Sequence, residues 1–390
     1  MTVTHKKSSR RTKEAVFLTI AATIVFLLLL IRSDVAVEYM KKGLKLCANT
    51  VIPSLFPFMA VSELIVRSGL GAKVGKLLSR PVKGIFGVSE GGACAFILGI
   101  VCGFPIGAKT IATMLERGEI SKNEAERALT FCNNPGSAFV ISAVGVSLFG
   151  SMRLGITLYV CVLLSAITVG AAARLIIGKK SSSIEKSTNS TLDTLRSSLP
   201  NDSEGHSPVP QRSALSSASI TVFTSAIQSS ATSMLTVCAL VAFFSSFVGI
   251  LGAFLSEAGA PKILTAAIFG IFELSSGVGM AAELQPRAAI LLTAATLGWS
   301  GLSVHLQVMT ACAGQSISFK PYVIAKMCQG AVCSALTASA LKLFPLSEET
   351  FAKISDSLVN SHTYSNATFV CAVFLIASIS PIFVGKINGK

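Results

Sequence analysis

Charge is scarce in this chain. Only 13% of its 390 residues are Asp, Glu, Lys or Arg, about half the share found in ordinary soluble domains. A soluble fold could not cover its surface with so little. Histidine is almost as rare: of four, His5, His206 and His362 fall in polar segments. Ten cysteines are present, yet none forms a CxxC and most sit in apolar runs, where a free thiol behaves as a small hydrophobe. Neither a disulfide framework nor a zinc site is indicated. No phosphate-binding loop, HExxH or dinucleotide fingerprint occurs. Aromatic residues are not interleaved with basic ones, which argues against nucleic acid as a partner. We therefore expect no enzyme, no cofactor and no metal.

Apolar length is what the chain has. Hydrophobic residues make up 51%, and the mean hydropathy is +0.68. The formal net charge of +14 is spread over short flanks: Lys6, Lys7, Arg10, Arg11 and Lys13 before the first apolar run, and Lys73, Lys76, Arg80 and Lys83 in a later loop. That distribution fits positive-inside topology and contact with anionic lipid. The composition predicts an all-α polytopic membrane protein with a cytoplasmic N-terminus.

The expected organisation follows from the runs. Residues 1–14 are a basic tail. Residues 15–50 hold a first membrane helix (Ala15 to Ile31, followed by Arg32-Ser33-Asp34 rather than a signal-peptidase site) and a helix whose apolar face, Val37, Met40, Leu44 and Cys47, suits the membrane interface. Residues 51–178 form a first half, 179–219 a Ser/Thr/Asn-rich flexible linker, and 220–345 a second half. Residues 346–390 carry another interfacial helix and a last span.

Each half contains broken apolar runs. In the first, Gly103, Phe104, Pro105 and Gly107 interrupt a membrane-type helix just before Lys109. Pro105 lacks an N–H and clashes with the preceding turn, so a new helix should begin near Ile106. Freed backbone groups survive at membrane depth only inside protein or beside a watery cavity. In the second half, Gly270-Ile271-Phe272-Glu273-Leu274-Ser275-Ser276-Gly277 echoes this break. Asn133-Asn134-Pro135-Gly136-Ser137 stops the next run of the first half, after a helix opened by the capping-box spacing of Ser121 and Glu124. Gly298-Trp299-Ser300-Gly301-Leu302-Ser303, followed by His305 and Gln307, is its counterpart. Paired interruptions at matching places in two halves point to a transporter site between repeats. GxSG at Gly298–Gly301 also occurs in rhomboid-type proteases, but no later membrane helix supplies a histidine base.

The candidate substrate site is thus Gly103, Phe104, Pro105, Gly107, Lys109, Asn133, Asn134, Gly136, Ser137, Glu273, Ser275, Ser276, Ser300, Ser303, His305 and Gln307. A lysine at membrane depth must be paired or hydrated. For Lys109 three roles remain open: contact with solute or coupling ion, snorkelling to a headgroup, or a structural pair with Glu273. Glu273 is either a carboxylate accepting N–H bonds from the break or a proton carrier.

Gly103-Phe104-Pro105-Ile106-Gly107-Ala108-Lys109, Gly118-Glu119-Ile120-Ser121, Asn133-Asn134-Pro135-Gly136, Phe272-Glu273-Leu274-Ser275-Ser276-Gly277 and Gly301-Leu302-Ser303-Val304-His305-Leu306-Gln307 resemble the YlbJ-type sporulation integral membrane proteins, over roughly residues 45–345. That resemblance implies membership of the nucleoside-recognition, or Gate, superfamily. It also implies inverted repeats with re-entrant hairpins, a place in the bacterial cell membrane or outer forespore membrane, and movement of dipicolinate, a small aromatic dianion, during sporulation. A proton or sodium ion would couple the movement, and a homo-oligomer is compatible with it. The alternatives are a non-transporting Gate-fold scaffold or regulator of spore formation, and a nucleoside-like solute carrier.

Overall fold

The computed structural model describes residues 2–196 and 212–344. All regular structure among them is helical. Helix α1 is Thr2–Ile31 and carries the apolar stretch Leu18–Ile31. Helix α2 (Ser33–Leu46), a π-helical turn (Cys47–Val51) and α3 (Ile52–Arg67) follow without a gap as one 35-residue segment of membrane-crossing length. This corrects the expectation of a separate interfacial helix. Helix α2 instead packs along α10 (Arg212–Glu257): Ala36 and Gly43 are buried there, and the Ser246 hydroxyl donates to the Ala36 carbonyl at 3.0 Å. Gly43 is required, because a Cβ would stand 2.9 Å from Ser245 Oγ.

Short helices α4 (Gly71–Lys76) and α5 (Ser79–Phe86) carry the basic loop. Helix α5 meets α6 (Glu90–Cys102) at a bend of 99°. After the first break come α7 (Ile106–Glu116) and α8 (Lys122–Cys132). After the second come a π-helical segment (Ala138–Leu148) and the long α9 (Met152–Arg196). The second half runs α10, α11 (Lys262–Phe272), α12 (Leu274–Ala282), α13 (Pro286–Trp299), α14 (Leu302–Ala311) and α15 (Lys320–Leu343). Among the described residues five helical segments are long and apolar enough to cross a membrane, and the bent pair α5–α6 is either a sixth, broken span or a re-entrant loop. The chain is a multi-pass integral membrane protein.

Local signals explain several boundaries. Ser121 Oγ accepts the Glu124 N–H at 3.3 Å and caps α8. The reciprocal half of the capping box is not made, because Glu124 Oε1 accepts from the Ser89 N–H at 2.6 Å and ties α8 to the start of α6. Pro286 opens α13, where the missing N–H costs nothing. Helix α9 continues to Arg196 and α10 begins at Arg212, so helix occupies both ends of the segment expected as a linker. No Gly or Pro lies between 179 and 196 to stop it. Residues 346–390, with the expected interfacial helix, last span and His362, lie outside the described residues, as do His206 and the side chains of the basic tail.

Two apolar cores flank the breaks. One joins α3, α6, α7 and α8, with Phe86 stacked on Phe131 at 3.9 Å between centroids and Phe96 set edge-on at 5.4 Å. The other joins the π-helical segment, α9, α12, α13 and α15 around Phe149, Leu154, Leu158, Ile290 and Leu297.

Candidate functional site

The two breaks of the first half are pressed together backbone to backbone. Gly103 has φ +79°, and a Cβ there would lie 2.5 Å from the Gly136 nitrogen. The Phe104 N–H donates to the Asn134 carbonyl at 3.0 Å. Asn133 Oδ1 accepts the Ala108 N–H at 2.8 Å, satisfying a free donor in the first turn of α7. Any Cβ on Gly99 or Gly107 would collide with the Cys132 carbonyl. Glycine is therefore required by contact at Gly99, Gly103 and Gly107. Phe104-Pro105 is a cis peptide. Ser137 neighbours the Tyr159 hydroxyl, which donates to the Ile100 carbonyl at 2.9 Å.

Asn133 and Asn134 are also held from the second half. Lys326, 1% exposed, donates to the Asn133 carbonyl at 2.9 Å and to Gln329 Oε1 at 2.8 Å. Gln329 Nε2 donates to Asn134 Oδ1 at 2.8 Å. This polar knot lay unrecognised in the sequence as two polar residues on a long apolar helix.

The third break is narrower than its glycines and serines suggest. It is the single residue Glu273, extended at φ −139°, between α11 and α12. Ser275, Ser276 and Gly277 belong to α12. The buried Glu273 carboxylate accepts the N–H groups of Ser275 at 3.1 Å and Ser276 at 2.5 Å, so it caps the helix that it opens. Gly277 is pressed against Gly270. At the fourth break Ser300 and Gly301 have φ +80° and +83°, and Gly301 sits against the Leu274 nitrogen. Trp299 Nε1 donates to the Ile271 carbonyl at 3.0 Å, tying the third and fourth breaks together.

Lys109 does not pair with Glu273, which corrects one of the three expected roles. Its ammonium is 3.5 Å from Glu63 Oε2, 3.0 Å from the Ser229 carbonyl and 2.9 Å from Ser233 Oγ. Glu63 Oε1 lies 2.7 Å from Arg67 Nε. Glu273 turns both of its oxygens to the first turn of its own helix. Glu63 and Arg67 stand at i, i+4 on α3.

Lys109, Arg67, Pro105 and Gln307 line a cleft of about 520 Å³ whose far wall is α10. That wall is a stripe of hydroxyls that mostly bond back to their own helix: Ser225 to Val222, Thr232 to Gln228, Ser233 to Ser229 and Thr236 to Thr232, at 2.9–3.1 Å. Gln307 also borders a small inner space of about 40 Å³ with Phe104, Gly136, Phe139, Glu273 and Ser275. Beyond Phe139 and Ser275 a second cleft of about 610 Å³ opens. The four breaks thus lie between two clefts, with the inner space at their centre.

Not every predicted residue faces these spaces. His305 is turned away: its Nδ1 lies 2.9 Å from the Tyr322 hydroxyl and its ring stands edge-on to Trp299 at 4.2 Å. Ser300 Oγ donates to the Leu297 carbonyl at 3.3 Å, and Ser276 Oγ is 3.4 Å from Ser245 Oγ. Among the described residues Gln307 Oε1, Ser303 Oγ and His305 Nε2 are buried without a hydrogen-bond partner, which is costly unless something else supplies one.

No family model matches the chain, and no solved structure does. It is similar to the sporulation integral membrane protein YlbJ of Bacillus subtilis (strain 168), at 28% identity over 382 residues, covering 94% of this chain and 90% of that one. Similarity runs along nearly the whole of both chains, and the helical, membrane-crossing fold of this chain is in keeping with that relative's description as an integral membrane protein.

Proposed function

We propose that the chain is a carrier that moves a small organic anion across the membrane, with its site between the broken helices. The observation that carries this reading is the 520 Å³ cleft: two cations, Lys109 and Arg67, and no carboxylate line it. Beside them stands the unpartnered Gln307 Oε1, shared with the inner space. Lys109 stands in the first turn of α7, an end that carries positive potential and favours an anion, while Arg67 closes α3. The matching order of breaks in the two halves supports a Gate-like inverted-repeat carrier, in which one half moves against the other.

The relative is named as a sporulation protein, so the membrane in question is one used in spore formation. Dipicolinate, to which the family resemblance points, brings two carboxylates for the two cations of the cleft. A nucleoside carrier is the poorer fit, since an uncharged nucleoside brings no anionic group to Lys109 and Arg67.

The test is a ligand screen of the purified full chain by thermal stabilisation with dipicolinate, simple carboxylates and nucleosides, followed by uptake of the hits into reconstituted vesicles. Anion-selective stabilisation and saturable uptake are expected. Stabilisation by none of them, in protein that is otherwise well folded, overturns the carrier reading in favour of a non-transporting scaffold.

A further inference from the structure

We propose that the second cleft is the far mouth of one water-filled path through the protein, and that the Phe139 ring is the plug that closes the path on that side. The inference deepens the carrier reading and rests on it for what the path carries.

The three spaces are joined in series by shared side chains. The cleft beside Lys109 and the inner space meet at Val237 and Gln307. The inner space and the second cleft meet at Phe139 and Ser275. The two clefts, of about 520 and 610 Å³, have room for a small solute, and the inner space of about 40 Å³ does not. The obstruction is therefore central.

The clefts open at opposite ends of the helices. Arg67 lines the first cleft and closes α3, on which α4 packs with its Lys73 and Lys76. The first mouth thus lies at the end that carries the basic loop. Arg174 of α9 donates to the Gly84 carbonyl of α5, in that same loop. Ser147 and Leu148 line the second cleft and end the π-helical segment, just before α9 begins at Met152. Between Met152 and Arg174 the helix rises by about 33 Å, close to the thickness of a bilayer's hydrocarbon core. The second mouth therefore lies across the membrane from the basic loop.

The lining of the second cleft suits water and not lipid. Asn49, Thr50, Ser54, Ser142, Ser147 and Ser275 line it, and Ser142 and Ser147 are exposed. Polar side chains at membrane depth face protein or a watery cavity. None of the side chains lining this cleft is charged, so an anion is gripped at one mouth and passes the other unheld. Phe139 stands where the two linings change over, in the first turn of the π-helical segment that follows the second break. Ser275, which shares the junction, is small, so the ring is what fills it.

The experiment is cysteine labelling of the full chain in sealed vesicles of either orientation, in a background without other reactive thiols, with a charged, membrane-impermeant methanethiosulfonate. Lys76→Cys marks the basic-loop side. Thr232→Cys in the first cleft should react from that side, and Ser142→Cys in the second from the opposite side. Val304→Cys, in the inner space, should react at least about tenfold more slowly than either. Adding Phe139→Ala should speed Val304→Cys about tenfold from the Ser142 side and leave its rate from the Lys76 side unchanged. Should Phe139→Ala fail to fold, Phe139→Val removes the ring with a smaller loss of volume and carries the same test. Labelling of Thr232→Cys and Ser142→Cys from one and the same side overturns the inference. So does a Ser142→Cys that reacts from neither side, which places the second cleft against lipid, and so does a rate at Val304→Cys that ignores the loss of the ring. No solute is present in these measurements, so their failure leaves the anion screen standing. A failed screen removes what the path carries and leaves the labelling pattern to decide the path.

Discussion

The Lys326 ammonium is 2.9 Å from the Asn133 carbonyl oxygen, 193 residues away in the chain. The buried amine here meets the C-terminal end of α8, where free carbonyls carry negative potential, and its hydrogen-bond partners are the Asn133 carbonyl and Gln329 Oε1; among the described residues it makes no ion pair. The last described helix is thereby fastened to the second break, and through Gln329 and Asn134 to the same point twice.

Lys326 and Gln329 should behave as one unit. Gln329→Leu strips Asn134 Oδ1 and Lys326 of a partner each, which should cost about 2–3 kcal/mol. Lys326→Met should also destabilise, because the Asn133 carbonyl loses its donor. The double variant should cost less than the two singles added, by about 1 kcal/mol or more. Melting curves of the four proteins check this, and strict additivity would show that the two side chains stand apart.

Gly99→Ala should be damaging, since the new methyl meets the Cys132 carbonyl. A loss of about 3 kcal/mol or failure to yield monodisperse protein is expected. Gly84→Ala is the control. Nothing lies within 4 Å of a Cβ there, and α5 should gain up to about 1 kcal/mol from the better helix former.

Lys109→Gln should weaken dicarboxylate binding about tenfold, or about 1.4 kcal/mol, with the fold intact. Lys109→Arg should not restore it, because a planar fork cannot reach the Ser229 carbonyl, Ser233 Oγ and Glu63 as a compact ammonium does. Glu273→Gln should cost about 1 kcal/mol of stability through its helix cap. The stability effects of Lys109→Gln and Glu273→Gln should add within about 0.5 kcal/mol, since the two side chains share no contact. Recovery of stability in the double variant would contradict the structure.

The N-terminus should face the cytoplasm, given five basic residues before the first apolar run. In a background without other reactive thiols, Ser8→Cys should resist membrane-impermeant thiol reagents in intact cells. Rapid labelling would reverse the topology.

Local chemistry was legible in the sequence and pairing was not. Pro105 and its flanking glycines announce a break and the new helix at Ile106, because each acts on its own backbone. Pro286 and Ser121 mark helix starts for the same reason. The third break was misplaced: its serines and glycines look like the interruption, yet Ser275 and Ser276 form the first turn of α12 under the Glu273 cap, and Gly277 serves to admit Gly270. A lone charge in an apolar run says that a partner exists without saying where. Lys109 could not be matched to Glu63 and Ser233, nor Lys326 to Asn133, from spacing alone, since those contacts join elements well separated along the chain. Glu124 shows the limit even of a local motif, because a tertiary donor, the Ser89 N–H, won its carboxylate.

The serine and threonine stripe of α10 bears on how the cleft could open. Hydroxyls that return their protons to the preceding turn need no acceptor on the facing helix. Parting α10 from α7 therefore strands few donors, and water can wet both surfaces at once. What crosses the seam near the breaks is the Lys109 ammonium, with its two bonds to Ser229 and Ser233. Among the described residues this flexible side chain bridges the two walls, while α10 itself stays packed on α2 and α3.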